Sequence, residues 1–217
     1  MHNMSLKEEI QKLKDIAKEK TPDEIKQIFS RAIKELQETG KVKGIKAGGR
    51  APNFTLKDTL GNDIELYEKL KNGPIVLTFY RGVWCPYCNL QLRAYEDIFP
   101  QIQAEGAELL AISPQKQEKS ISVAEKNNLT FKLLTDIDGE TSEKYNILFE
   151  VPTYLREVYE QMGINLSEYN MGEKWSLPLA ATFIIDKNAL IRYSFVNVDY
   201  TERMEPIDIL SILSIIK

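Results

Sequence analysis

Two cysteines stand three residues apart in Tyr80-Arg81-Gly82-Val83-Trp84-Cys85-Pro86-Tyr87-Cys88, and the 217-residue chain contains no others. The segment joins an apolar run, Ile75 to Tyr80, to a stretch of helical character that begins at Pro86. Proline suits the first helical position, because the N–H that it lacks is one that a helix leaves unpaired there. Cys85 therefore falls at a helix start, where free N–H groups and the positive end of the helix dipole lower a thiol pKa from its usual ~8.5. This placement predicts a nucleophile. Cys88 lies one turn further along the same face, placed to attack the first sulfur and resolve what forms on it.

Competing uses of the pair fit less well. A zinc site needs more N or S ligands than remain, since the only histidine is His2, so no metal is expected. A static disulfide would close too short a loop to stabilise the fold much. A C-x-x-C at a strand-to-helix junction, in a chain expected to be cytoplasmic, reads as redox chemistry. Two arginines are candidates to lend charge to the thiolate: Arg81, four residues before Cys85, and Arg93, two turns into the helix. Trp84 flanks the nucleophile and is a candidate docking surface for a reductant. Trp175 and Tyr87 read as packing residues. The glycine-rich stretch from Gly40 to Arg50 resembles no phosphate loop, and no cofactor is expected.

The elements that must position the pair follow from the apolar spacing. Residues 5–39 read as two helices with one apolar stripe each, Leu6, Ile10, Leu13 and Ala17 and then Ile25, Ile28, Phe29, Ala32, Ile33 and Leu36. Thr21-Pro22-Asp23-Glu24 predicts a capped start for the second helix, and Gly40 its end. This hairpin and its linker (1–48) are expected to be a packing or dimerisation appendage on a main domain (49–217). In that domain a hairpin turns at Leu60 to Asp63, and the buried run Ile75 to Tyr80 is a central strand. A helix over 86–104, kinked at Pro100, comes next, then strands at 108–113 and 131–135 and helices near 117–127 and 140–148. Residues 151–178 read as an irregular insertion with a helical piece from Tyr154 to Met162. A strand pair turning at Lys187-Asn188 precedes a last helix from Glu205-Pro206, and Asp199, Tyr200, Thr201 and Arg203 read as a capping turn before it. This alternation implies an α/β fold with a central sheet flanked by helices.

Composition excludes several classes. With 43% hydrophobic and 28% charged residues the chain is a soluble globular protein. A net charge of −4 offers no field for nucleic acid or an anionic bilayer. No apolar run approaches the ~18 residues of a membrane span. The first residues lack the apolar core of a signal peptide, so a cytoplasmic protein is expected.

The chain resembles the AhpC/TSA peroxiredoxin-like branch of the thioredoxin superfamily. APNFTL at 51–56, GPIVLTFYRGVWCPYCNLQLRAY at 73–95, GAELLAISPQ at 106–115, WSLPLAATFIID at 175–186 and DYTERMEP at 199–206 carry the resemblance. It implies a thioredoxin-like fold in which Cys85 attacks a hydroperoxide to give a sulfenic acid. Cys88 then condenses with it to a disulfide, recycled by a thioredoxin, glutaredoxin or other glutathione-linked donor. A homodimer is a further expected partner. The chain departs from the family pattern at three places. Thr78 and Gly82 stand where the family has a proline and a threonine or serine. Ala180 stands where peroxiredoxins have an arginine and thioredoxin-like oxidoreductases a cis-proline, for which Pro178 is the nearby candidate. Two other uses of the same pair stay open at this point: dithiol–disulfide exchange with protein or glutathione disulfides, and a non-catalytic redox sensor or adaptor.

Overall fold

A computed structural model describes residues 4–172 and 174–216, so His2 lies outside the described residues. Helix α1 (Leu6–Lys20) opens on a capping box in which Ser5 and Glu8 satisfy each other's backbone N–H groups. Only Thr21 and Pro22 separate it from α2 (Asp23–Thr39). Pro22, rather than Thr21, occupies the cap position of α2 and makes no side-chain cap bond. Asp23 and Glu24 favour that terminus through the helix dipole instead. Gly40, at φ +56°, ends α2 in the left-handed conformation that glycine adopts without penalty.

The main body begins with the hairpin β1 (Thr55–Asp58) and β2 (Asp63–Glu65), followed by α3 (Leu66–Leu70) and β3 (Ile75–Phe79). The helix predicted over 86–104 is two helices, α4 (Pro86–Asp97) and α5 (Phe99–Ala104). Pro100 cannot continue an upstream helix, since it has no N–H to donate and its ring crowds the preceding turn. Then come β4 (Glu108–Ser113), α6 (Gln117–Asn127), β5 (Lys132–Thr135) and α7 (Glu140–Lys144). Helix α7 stops four residues short of the predicted end, and Leu148–Glu150 forms strand β6. The segment read as irregular contains α8 (Thr153–Gln161), α9 (Leu166–Tyr169) and β7 (Ser176–Pro178), the last antiparallel to β6. The chain closes with β8 (Ala180–Ile185), β9 (Ile191–Asn197) and α10 (Pro206–Leu213).

Seven strands form one sheet in the order β2-β1-β5-β4-β3-β8-β9. Strand β3 is parallel to β4 and antiparallel to β8, so the sheet is mixed, with helices on both faces as expected. Successive residues of β3 point to opposite faces. Val76 joins a core with Leu92, Ile102 and Ile209, whereas Ile75, Leu77 and Phe79 join the other with Leu66, Tyr145 and Phe183. A strand buried on both sides has to be apolar throughout, and this one fixes where its C-terminal end delivers Arg81 to Cys85.

The two N-terminal helices pack in different places. Leu6 and Ile10 of α1 are buried in the core around α4 and α10. Helix α2 has no fully buried residue and lays Ile25, Ile28, Phe29 and Ala32 against a third cluster built on Leu155, Val158 and Tyr159 of α8. Burying each large aliphatic side chain of α1 contributes on the order of 1.5–3 kcal/mol. Ile10→Ala is accordingly expected to lower unfolding free energy by about 2–4 kcal/mol in urea. A loss below about 0.5 kcal/mol, the size of an ordinary surface substitution, would show that α1 is not part of this core.

Candidate active site

Cys85 occupies the cap position of α4 in extended conformation, with Pro86 beginning the helix. Its N–H donates to the carbonyl of Gly82 (3.1 Å), which closes the turn out of β3. Asn89 stitches the same turn from within the helix, its Nδ2 donating to the carbonyls of Val83 (2.7 Å) and Cys85 (3.0 Å). Both cysteines are free thiols and both are buried, Cys85 2% exposed and Cys88 0%. Only Cys85 borders a cleft, of about 500 Å³, walled by Leu13 and Ala17 of α1, Phe29 of α2, Tyr159 of α8, Tyr87 and Trp84.

Two guanidinium groups flank the sulfurs. Arg203 sends Nη2 to the Cys88 sulfur at 3.4 Å and Nη1 to the carbonyls of Tyr200 and Glu202. Arg81 donates through Nη2 to the Tyr159 hydroxyl and is caged by three rings, with its Cζ 5.1 Å from the centre of Trp84, 5.7 Å from Tyr159 and 4.8 Å from Tyr200. Each such face-on contact favours the cation. The two arginines are 3% and 8% exposed, and among the described residues neither bridges a carboxylate. Nε of each is buried without a hydrogen-bond partner.

The charge balance falls on the two sulfurs, each of which shifts the proton affinity of the other. Burial pushes both thiols up. At Cys88 it is outweighed by the bond from the Cys85 thiol and by the charges of Arg203 and Arg81, which bring that sulfur down to about 5. At Cys85 burial and the proton held against Cys88 win over the two arginines, so its thiol lies well above the ordinary range. The pair titrates as a unit: one proton leaves early, and the remaining one is shared between the sulfurs. Burial lowers the pKa of Arg81, but Tyr159, Cys85, Cys88 and Tyr200 outweigh it and raise the pKa overall.

Arg81, Trp84, Cys85 and Cys88 are thus brought together. Arg93 is not: its Nη1 donates to Asn127 Oδ1 (3.1 Å), and it touches the site only through Asn127, which donates to Asn89 Oδ1 (3.1 Å). Eight residues beyond Cys85 place it about 12 Å along the axis and roughly 80° round the helix, so its spacing does not return it to the sulfurs. Trp84 is half-buried at the cleft, its ring packed on Tyr159 at 5.5 Å and on Arg81. Arg203, which the sequence reading left in a capping turn, is the cation at Cys88, while the cap position of α10 is Glu205. Asp199 holds the turn by accepting from Thr201 N–H (2.9 Å) and Oγ1 (2.7 Å). The carbonyl of Met204 accepts from Tyr95 Oη (3.0 Å), which ties Arg203 to α4.

The departures from the family pattern have structural counterparts. Gly82 has φ +146°, and a Cβ there would stand 2.7 Å from Trp84 Nε1, so the indole fills the space of a residue-82 side chain. Ala180 and Arg81 border the same apolar cavity of about 220 Å³. Thr78 binds Thr182 Oγ1 (3.0 Å) and accepts from Gln91 Nε2 (3.2 Å). No peptide bond among the described residues is cis, Pro178 included.

Comparison with known proteins places this geometry. The AhpC/TSA family pattern matches residues 47–194. The chain is 31% identical over 160 residues to the chloroplastic peroxiredoxin Q of Triticum aestivum, covering 73% of this chain and 63% of that protein. It is 30% identical over 116 residues to peroxiredoxin Bcp of Escherichia coli strain K12, covering 54% of this chain and 73% of that protein. It therefore spans about three-fifths of the length of the plant relatives it matches. Among solved structures, peroxidoxin BcpB of Mycobacterium tuberculosis superposes with a TM-score of 0.62 at 20% identity, over 80% of this chain and 99% of that one. A peroxiredoxin-like protein from Aquifex aeolicus gives 0.64 at 17% identity, over 82% and 91%. The fold is thioredoxin-like. No helix among the described residues is long and apolar enough to cross a membrane.

Two outcomes follow from this geometry. Ultraviolet thiolate absorbance of the reduced protein should show one equivalent appearing as pH rises through about 5, whereas a single midpoint near the ordinary ~8.5 would contradict the shared proton. Gly82→Thr, which restores a hydroxyl at that position, should cost about 2–4 kcal/mol in chemical denaturation. An unchanged midpoint would mean that the Trp84 ring moves aside freely.

Proposed function

The chain belongs to the AhpC/TSA family, and from that premise we propose that it is a thiol peroxidase, reducing hydrogen peroxide or organic hydroperoxides through Cys85 and Cys88. The observation that carries the reading is the pair of buried free thiols, of which only Cys85 opens on the cleft, backed by two buried guanidiniums that form no ion pair among the described residues. A proton shifts from the Cys85 sulfur to the Cys88 sulfur. The Cys85 thiolate attacks the terminal peroxide oxygen, the O–O bond breaks, and the leaving alkoxide or hydroxide takes the proton now on Cys88. Cys85 is then a sulfenic acid and Cys88 a thiolate beside Arg203. Attack of Cys88 on the Cys85 sulfur expels hydroxide, protonated to water, and leaves a disulfide. An external thiol donor, of the thioredoxin or glutathione-linked kind, returns both cysteines to the reduced state. Such a cycle suits the reducing cytoplasm.

Arg81 supplies the positive charge that the family pattern takes from the position of Ala180, and it faces the cavity that Ala180 borders. Charge near the breaking O–O bond favours the anion that develops there. Reaction of the fully reduced protein with stoichiometric hydrogen peroxide should be orders of magnitude faster than that of a free thiol, and Cys85→Ser should abolish it. Cys88→Ser should retain the first step, accumulate sulfenic acid at Cys85 and overoxidise with excess peroxide. A wild-type rate like that of free cysteine, beside rapid exchange with disulfides, would favour a dithiol–disulfide oxidoreductase.

A further inference from the structure

The acidic groups nearest Arg203 are all engaged elsewhere. Asp199 accepts from Thr201, Glu202 bridges Lys14 of α1 at 2.7 Å, and Glu205 accepts from the N–H of Lys7 at 2.7 Å. Arg81 meets only a phenol and aromatic faces. Among the described residues no ion pair joins either guanidinium to a carboxylate, and the anion in contact with Arg203 is the thiolate of the cysteine pair. When the pair becomes a disulfide that anion disappears, and both buried cations lose it. A buried charge that loses its partner is strongly disfavoured. A state that restores the thiolate is favoured by the same amount, and this raises the oxidising power of the disulfide.

Geometry also selects the reductant. Cys85 is 2% exposed at the floor of a cleft of about 500 Å³ beneath α1, α2 and α8, and Cys88 is fully enclosed. That volume lies in the range of small-ligand clefts, ~300–1,000 Å³, and a protein dithiol could reach the sulfur only by displacing the walls. We propose that Arg203 and Arg81 form a two-cation seat that favours the reduced pair, so that a small monothiol entering the cleft reduces the Cys85–Cys88 disulfide directly. The inference rests on the peroxidase reading only for where the disulfide comes from. A thiolate R′S⁻ attacks the Cys85 sulfur and the S–S bond breaks. Cys88 leaves as the thiolate next to Arg203, where its low proton affinity makes it a good leaving group. A second R′S⁻ attacks the R′ sulfur of the mixed disulfide and releases Cys85, which takes up a proton, with R′SSR′ as the oxidised product. Two electrons pass from two monothiols to the pair.

The test forms the disulfide with diamide, so that it does not depend on peroxide reduction, and uses reduced glutathione as the probe. Thiol alkylation and mass measurement follow reduction of the full chain in buffers of varied glutathione ratio. Wild type should be reduced completely by excess glutathione alone, and adding thioredoxin should not accelerate it. A disulfide that persists until thioredoxin is added overturns the proposal, and that comparison requires no variant. Arg203→Met should lower the equilibrium constant for reduction by about tenfold or more and slow the reaction, with Arg203→Lys recovering most of both. Equilibrium constants within twofold of wild type in folded Arg203→Met and Arg81→Met also overturn it, whatever the peroxidase rate proves to be.

Discussion

A cation taken out of water must find an anion or a set of dipoles, and two guanidiniums are buried within reach of one pair of sulfurs. Much of the surrounding architecture serves that constraint. Arg81 is kept in place by rings contributed from four separate stretches: Trp84 before α4, Tyr159 on α8, Tyr200 after β9 and Phe29 of α2, which packs on both tyrosines at 6.1 and 5.9 Å. Arg203 is kept in place by its neighbours in the loop. Glu202 and Glu205 are fastened to α1, and Met204 is fastened to Tyr95 of α4. The N-terminal helices are thereby tied to the site from two sides, α1 through the Arg203 loop and α2 through the cage around Arg81.

The departures from the family pattern form one linked set. Without a side chain at residue 82 the Trp84 indole can lie against the turn, and from there it supplies a wall of the cage around Arg81. With alanine at residue 180 the neighbouring cavity has room for Arg81 to face it. Threonine at residue 78 feeds a buried polar chain through Gln91, Thr182 and Tyr95 that ends on the Met204 carbonyl, one residue from Arg203. Buried polar groups of this sort specify a unique arrangement when they are paired. The positive charge at the sulfurs accordingly comes from the β3–α4 turn, through Arg81, and from the β9–α10 loop, through Arg203.

What could be read from the sequence was what is local in it. The helix start at Cys85-Pro86, the three-residue spacing to Cys88 and the apolar continuity of β3 depend on neighbours a few residues apart, and all of these appear in the structure. Arg203 meets a sulfur 115 residues away and Arg81 a hydroxyl 78 residues away, and no spacing rule reaches so far. The cluster from Asp199 to Arg203 did stand out by composition, but a polar turn before a proline-started helix has the same appearance whether or not it carries a functional arginine. In the segment 151–178, β7 has three residues and α9 four, too few for either period to show. Arg93, eight residues beyond Cys85, is carried away from the sulfurs by the rise and rotation of α4 and donates to Asn127 instead.

Accessibility and acidity are divided between the two sulfurs. The sulfur with the lowered pKa, Cys88, is sealed from solvent, while Cys85, which reaches the cleft, keeps the proton at rest. A thiolate is the reactive form of a cysteine, so an exposed one would meet every electrophile that passes. In the proposed cycle the charge is stored on the enclosed sulfur and becomes available to Cys85 by movement of one proton between the two sulfurs. In that cycle the proton displaced to Cys88 goes on to the leaving oxygen, and giving it up returns Cys88 to the thiolate needed for the next bond. On the proposed cycle a pair buried beside two cations combines a protected resting state with a resolving thiolate already in place, which a lone low-pKa cysteine on an open surface does not.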